Sequence, residues 1–312
     1  MIQLFHNING VTTAVDKPEN GTWVNILPPF KQEEFTDVSE TLDVPIEFLQ
    51  DSLDIDERPR MELADNVKLV VIKTPTENNS FNDSDAFYIT IPICIILTHN
   101  QIITVNSFEN GAIKKFLYSF QKRNPDKRNM MVLKIFEKIT QTFMEYLKEI
   151  NHRRNLLEQK LYEASRNEEL FELMRIQKSL VYFVTALRSN ELVLIKMERT
   201  NFLGLNDEER EFLNDQIIDM SQALEMANVY TNILSSTMDA FASIIANNQN
   251  FVLKRLAGIT IILQFPVLVA SIYGMNVPIP FQDKPHAFYI PIVLALTISV
   301  VMAFFFVRKK WF

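Results

Sequence analysis

Glycine is scarce in this 312-residue chain, at six, and no Gly-rich phosphate-cradling loop is present. Cysteine is scarcer still. Cys94 stands alone, so no disulfide can form within the chain. It lies in the apolar run Ile93-Cys94-Ile95-Ile96-Leu97, where a thiol packs as a small hydrophobe, and the aqueous part of the chain suits a reducing cytosol. The four histidines, His6, His99, His152 and His286, form neither a His-x-x-x-His pair nor a His/Cys ligand spacing. No local catalytic motif is left, and the chain reads as a non-enzyme. A basic excess is also missing. The net charge of −7 argues against nucleic acid as a partner. Met1 to Asn20 holds no basic segment followed by an apolar run, so no cleaved signal peptide is expected.

The most telling shortage is local. Charged residues make up 22% of the chain but nearly vanish from its last sixty or so positions. Such a split means two solvents, water for one part and lipid for the other. Two apolar segments, Phe251 to Tyr273 and Ala287 to Val307, are each long enough to cross ~30 Å of hydrocarbon. The second is apolar on every face and ends at once in Arg308-Lys309-Lys310-Trp311-Phe312, the basic and aromatic residues that anchor a span at the interface. Lys254 and Arg255 stand near the start of the first. The loop between the spans carries only Asp283 and Lys284. The positive-inside rule therefore puts both termini in the cytosol and the loop outside, in a cell membrane.

Upstream of the spans the pattern changes twice. Residues 1–128 read as an α+β cytosolic domain, a mixed sheet with flanking helices. Phe35 to Leu53 has helical spacing, and β-rich runs cover Val67 to Ile72, Ala86 to Ile91, Ile93 to Thr98 and Gln101 to Val105. His99-Asn100 reads as the turn of a hairpin, and Glu77 to Asp85 as a polar loop. Residues 129–205 read as a cytosolic helical hairpin broken near Ser165-Arg166-Asn167. Residues 206–250 read as a stalk helix opened by Asn206 as N-cap and an acidic first turn. Its seam runs Leu213, Ile217, Met220, Leu224, Ala227, Thr231, Leu234, Met238, Phe241, Ile245, Asn248, Val252. Seam period alone does not fix whether the partner is the same chain or a neighbour. The remaining boundaries are 251–275 for the first transmembrane helix, 276–286 for the external loop, 287–307 for the second, and 308–312 for a basic tail.

One face of the first span carries Asn250, Leu253, Ala257, Thr260, Gln264 and Val267 at three- and four-residue steps. Polar groups at membrane depth face a bundle interior or a water-filled path, or hydrogen-bond neighbouring helices. A two-span hairpin cannot enclose a pore alone, so a pore needs several copies closed by cyclic symmetry.

The first span ends in Tyr273-Gly274-Met275-Asn276. Gly-Met-Asn at the outer end of the first of two C-terminal spans resembles the signature of the CorA family of magnesium transporters. The resemblance is carried mostly by Asn247 to Phe312. Asp56-Glu57-Arg58-Pro59-Arg60 is similar to a less specific segment of such sequences. The resemblance implies a funnel-shaped homopentamer carrying Mg²⁺, with the first span lining the pore and lipid and divalent cations as partners. It implies that Gly274, Met275 and Asn276 form the selectivity motif, with five Asn276 amides meeting the hydrated ion. It further implies an inner ring at Asn250, a hydrophobic constriction at Leu253 and Leu256, an acidic cytosolic entrance at Asp239, and closure when cytosolic Mg²⁺ binds Asp215, with Asp219 one turn on and Asp83 or Asp85 opposite. The chain departs from the family pattern at Gln264, where many members have Met, and in lacking the Glu common after Gly-Met-Asn. Transport of Co²⁺, Ni²⁺ or Zn²⁺, with or without proton coupling, is the alternative, as is a non-conducting cation sensor.

Overall fold

The computed structural model describes residues 2–8, 11–29, 32–78, 86–106, 111, 113, 116, 128–164, 167–276, 284–309 and 311. Runs of Ile, Val and Thr build a seven-stranded mixed sheet from β1 (Ile2–Ile8), β2 (Val11–Ala14), β3 (Trp23–Ile26), β4 (Arg60–Ala64), β5 (Val67–Glu77), β6 (Tyr88–Leu97) and β7 (Ile102–Asn106). The order is β2-β1-β3-β7-β6-β5-β4. Every pairing is antiparallel except β3 with β7. All ten residues of β6 are buried, which is why its sequence is a continuous apolar run rather than an alternating one.

The sequence splits this strand at Pro92, but the structure does not. Pairing of β6 with β7 stops at Ile93↔Asn106, so Pro92 has β5 alone beside it among the described residues. Pro75 on β5 likewise lies past the end of β4, whose pairing stops at Arg60↔Val71. A residue without an N–H is tolerated where one side of the strand carries no ladder. The expected hairpin across His99-Asn100 is β6–β7. The strands β1 to β4 carry weaker signals and were not expected.

Helices α1 (Gln32–Leu42) and α2 (Ile46–Gln50) divide the single helix expected over Phe35 to Leu53. Asp43 has φ of 53°, and Pro45 follows it. One residue in the left-handed region and one lacking an N–H are enough to end the helix. Phe35, Val38, Phe48 and Leu49 from this pair bury against Val24, Leu69, Val71, Cys94 and Ile103 on one sheet face. Burial pushes the Cys94 thiol up, so it remains protonated and inert.

Four long helices follow: α3 (Arg128–Ala164), α4 (Asn167–Thr200), α5 (Asp207–Tyr273) and α6 (Tyr289–Arg308). Helices α3 and α4 meet the sheet at β5 and β6. Two polar clasps fix α4 there. Ser179 Oγ accepts from the Phe87 and Tyr88 amides, both at 3.0 Å, and the buried Asn190 side chain exchanges bonds of 2.9 and 2.7 Å with the Lys73 backbone. Phe87 lies between the guanidinium groups of Arg153 and Arg175, each 4.1 Å from the ring centroid. The start of α5 is a capping box. Asn206 Oδ1 accepts from Glu209 N at 2.9 Å, and Glu209 Oε2 accepts from Asn206 N at 3.1 Å.

The chain forms two compact units, Met1–Thr237 and Met238–Phe312. In the first, the seam of α5 packs within the chain. Leu213, Met220, Ala227 and Leu234, seven apart, are buried, and Met220 Sδ meets the Thr140 hydroxyl of α3. The opposite side keeps Ile218, Val229 and Ile233 uncovered, Ile218 at 64% exposure.

Candidate functional site

The second unit holds the end of α5 and all of α6, both long and apolar enough to cross a membrane. Only 11% of each apolar window is buried within the chain. A core helix of a water-soluble domain would be covered, so these faces need lipid or further copies as their solvent. Aromatic and basic groups mark the ends. Arg255 sits 4.2 Å over the Phe251 ring, and Phe306 stacks on Trp311 at 5.0 Å between centroids.

Val269 and Ala295 line a groove between the two helices and are buried, and Gly258 on the same side of α5 is buried as well. Pro266 lies inside α5. Its missing N–H leaves the Ile262 carbonyl without a helical donor. Ser299 of α6 donates its hydroxyl to that oxygen at 3.3 Å. Reading the sequence missed Ser299. The signal was available, since a proline in a span requires a donor from elsewhere and few polar residues stand in the second span.

The polar stripe lies on the far side of α5 from this contact. Gly258 and Ile262 each stand two residues from Thr260, about 200° round the helix. Asn250, Thr260 and Gln264 are exposed, as are Leu253 at 61% and Leu256 at 59%. Thr260 donates to its own helix at Leu256 O (2.8 Å), and Gln264 has no hydrogen-bond partner among the described residues. Neither polar group is used to bind α6. Asp239, at the start of this unit, is exposed as well.

At the other end of α5, Gly274 N donates to Ala270 O at 2.9 Å and Met275 N to Ile272 O at 3.3 Å, so the first two residues of Gly-Met-Asn close the last turn of the helix. Gly274 does not use the left-handed region. A Cβ there would come within 3.2 Å of the Ala270 carbonyl oxygen of its own helix, and Gly274 lines a groove of about 520 Å³ between α5 and α6 with Tyr273, Phe288 and Pro291. Met275 and Asn276 are exposed. In the first unit, Asp215 is exposed and Asp219 half-buried, one turn apart. Among the described residues no three His, Cys, Asp or Glu side chains converge as a metal site. Asp83, Asp85, Asp283 and Lys310 lie outside the described residues.

A seven-stranded α+β unit and two C-terminal helices long and apolar enough to span a bilayer define a two-span membrane protein. The chain belongs to the CorA-like Mg²⁺ transporter family, whose model matches residues 19–309, and the family is one of transporters rather than enzymes. It is 26% identical over 295 residues to the cobalt/magnesium transport protein CorA of Methanocaldococcus jannaschii, covering 93% of this chain and 90% of that one. It is 22% identical over 298 residues to the protein of the same name from Thermotoga maritima, covering 93% and 83%. The complete structure of the M. jannaschii CorA magnesium transporter superposes with a TM-score of 0.87 at 25% identity, covering 100% of this chain and 99% of that one.

Proposed function

We propose that this chain is one subunit of a homopentameric channel carrying Mg²⁺, and Co²⁺ as its relatives' names state, across the cell membrane, with both termini cytosolic. The observation that carries the reading is the stripe of Asn250, Leu253, Thr260 and Gln264, polar in part and turned away from the one helix that could cover it. Copies arranged around an axis would bring that stripe onto a common path. The number five comes from the family resemblance.

Each residue then has a physical task. Five Asn276 amides at the outer mouth accept hydrogen bonds from the water shell of the ion. Mg²⁺ gives up its waters reluctantly, so a ring that grips the hydrated ion suits it. Asn250 offers a second amide ring at the inner end. Leu253 and Leu256 between them form a constriction that closes by dewetting. Gln264 supplies a polar group where an apolar one would dry the path. Asp239 raises the cation concentration at the cytosolic entrance. Asp215 and Asp219 share a helix side and would hold regulatory Mg²⁺ through its waters against a neighbouring subunit.

Purified protein in liposomes under an imposed membrane potential tests this. Mg²⁺ and Co²⁺ influx is expected, with Ni²⁺ and Zn²⁺ run beside them. Asn276→Ala should assemble normally yet lose at least ~10-fold in Mg²⁺ flux, in line with loss of charge-assisted hydrogen bonds. Unchanged flux in that variant would remove the pore assignment.

A further inference from the structure

The cytosolic unit contains a cavity of about 940 Å³ that the conduction path does not use. Its floor is the β4 edge of the sheet and its outer wall is α4. The segment Asp56-Glu57-Arg58-Pro59-Arg60, which the sequence singled out without a role, forms its rim.

Charge in this cavity runs against the charge of the protein. Arg58, Arg60, Lys73 and Lys196 line it with Asp56 as the one carboxylate, in a chain of net charge −7. Arg60 is already occupied by Asp51, Glu57 and Glu62. The other three cations make no ion pair among the described residues. Lys73 reaches only the Ile55 carbonyl. Burial pushes its ammonium below the ordinary lysine range, against the pull of Asp56, Asp54 and Glu57 nearby. Lys73 thus has carboxylates in its neighbourhood but no direct ion pair among the described residues, which leaves its ammonium able to meet a further anion.

The opposite wall has a different character. Val181, Tyr182 and Leu192 of α4 present large apolar surface into the same space, Leu192 at 61% exposure. Apolar side chains of α4, with Lys196 one turn beyond Leu192 on the same wall, face Arg58 and Lys73 across the cavity, which matches a ligand with one charged end and one apolar body.

We propose that this cavity binds a small amphipathic organic anion, its phosphate or carboxylate head held by Arg58, Lys73 and Lys196 and its body laid on Tyr182 and Leu192. The site is built wholly from residues of the first unit and does not depend on the transport reading.

Isothermal titration of the full-length protein in an uncharged detergent tests it, with 1-naphthyl phosphate as probe and protein-free micelles as blank. Saturable binding of one probe per chain is expected, and inorganic phosphate alone should bind at least ~100-fold more weakly for want of the apolar body. Arg58→Ala and Lys196→Ala should each weaken the probe roughly tenfold, as expected for a lost charge-assisted bond. Leu192→Ser, which removes apolar surface without adding charge, should weaken the probe and leave phosphate unchanged. Both substituted cations are exposed, so folding is not at stake. Absence of saturation up to millimolar probe overturns the proposal, as does equal affinity in the Arg58→Ala/Lys196→Ala double variant. A Thr185→Cys variant gives an independent check, because the native Cys94 is buried and silent. The new thiol should react with a water-soluble maleimide in the assembled protein and be shielded by the probe. A thiol unreactive without probe would mean that another copy of the chain fills the cavity, and would sink the ligand site.

Discussion

A single hydroxyl does the work of a missing amide at Ser299. Pro266 removes the donor for Ile262 O, and in hydrocarbon no water can replace it. Ser299→Ala should therefore lower stability by ~0.6 to ~1.7 kcal/mol, the range for interhelical hydrogen bonds in membranes. Thermal unfolding in detergent would read this as a lower midpoint, with Ser299→Thr close to the parent. An alanine variant as stable as the parent would show that the carbonyl is served otherwise. Residues differ sharply in how far the sequence betrays them. Asn206 was legible as a cap because its partner Glu209 stands three positions on. Asn190 and Ser299 were not, because their partners lie 117 and 37 positions away and only the folded chain brings them together.

Helix α5 has two apolar sides in its first half, and the sequence displays only one of them plainly. The buried side, Leu213 to Leu234, carries the seven-residue repeat. On the other, Ile218, Val229 and Ile233 have no cover, and Asp215 stands eighteen residues before Ile233, about five full turns, so it shares their side. An uncovered apolar stripe on a charged helix is a surface for self-association. Ile233→Asp should shift the detergent-solubilised protein to smaller species in light scattering, with the helix content unchanged. An unaltered mass would assign the stripe no part in assembly. Helices were read well because 3.6-residue periodicity persists over many turns. Strands β2, β3 and β4 were not, since they have four, four and five residues and offer too few alternations to register.

At the scale of the whole molecule, composition gave the division into an aqueous unit and an apolar one, because solvent selects residues over tens of positions at once. The regulation proposed above would need a second copy of the chain, which no single-chain pattern displays. If Asp215 binds Mg²⁺ between copies, Asp215→Lys should give assembled protein whose resistance to protease no longer rises with millimolar Mg²⁺. A normal Mg²⁺ response would clear Asp215 of that role. The Ile262–Ser299 bond has a further consequence for how the hairpin is made. Should the second span slide by one residue against the first, Ile298 or Val300 would stand opposite the vacant oxygen, and neither can donate. The slip would then cost at least the ~0.6 to ~1.7 kcal/mol of that bond. The bilayer thus acts as a proofreader of helix pairing at the moment of insertion, before any other subunit arrives.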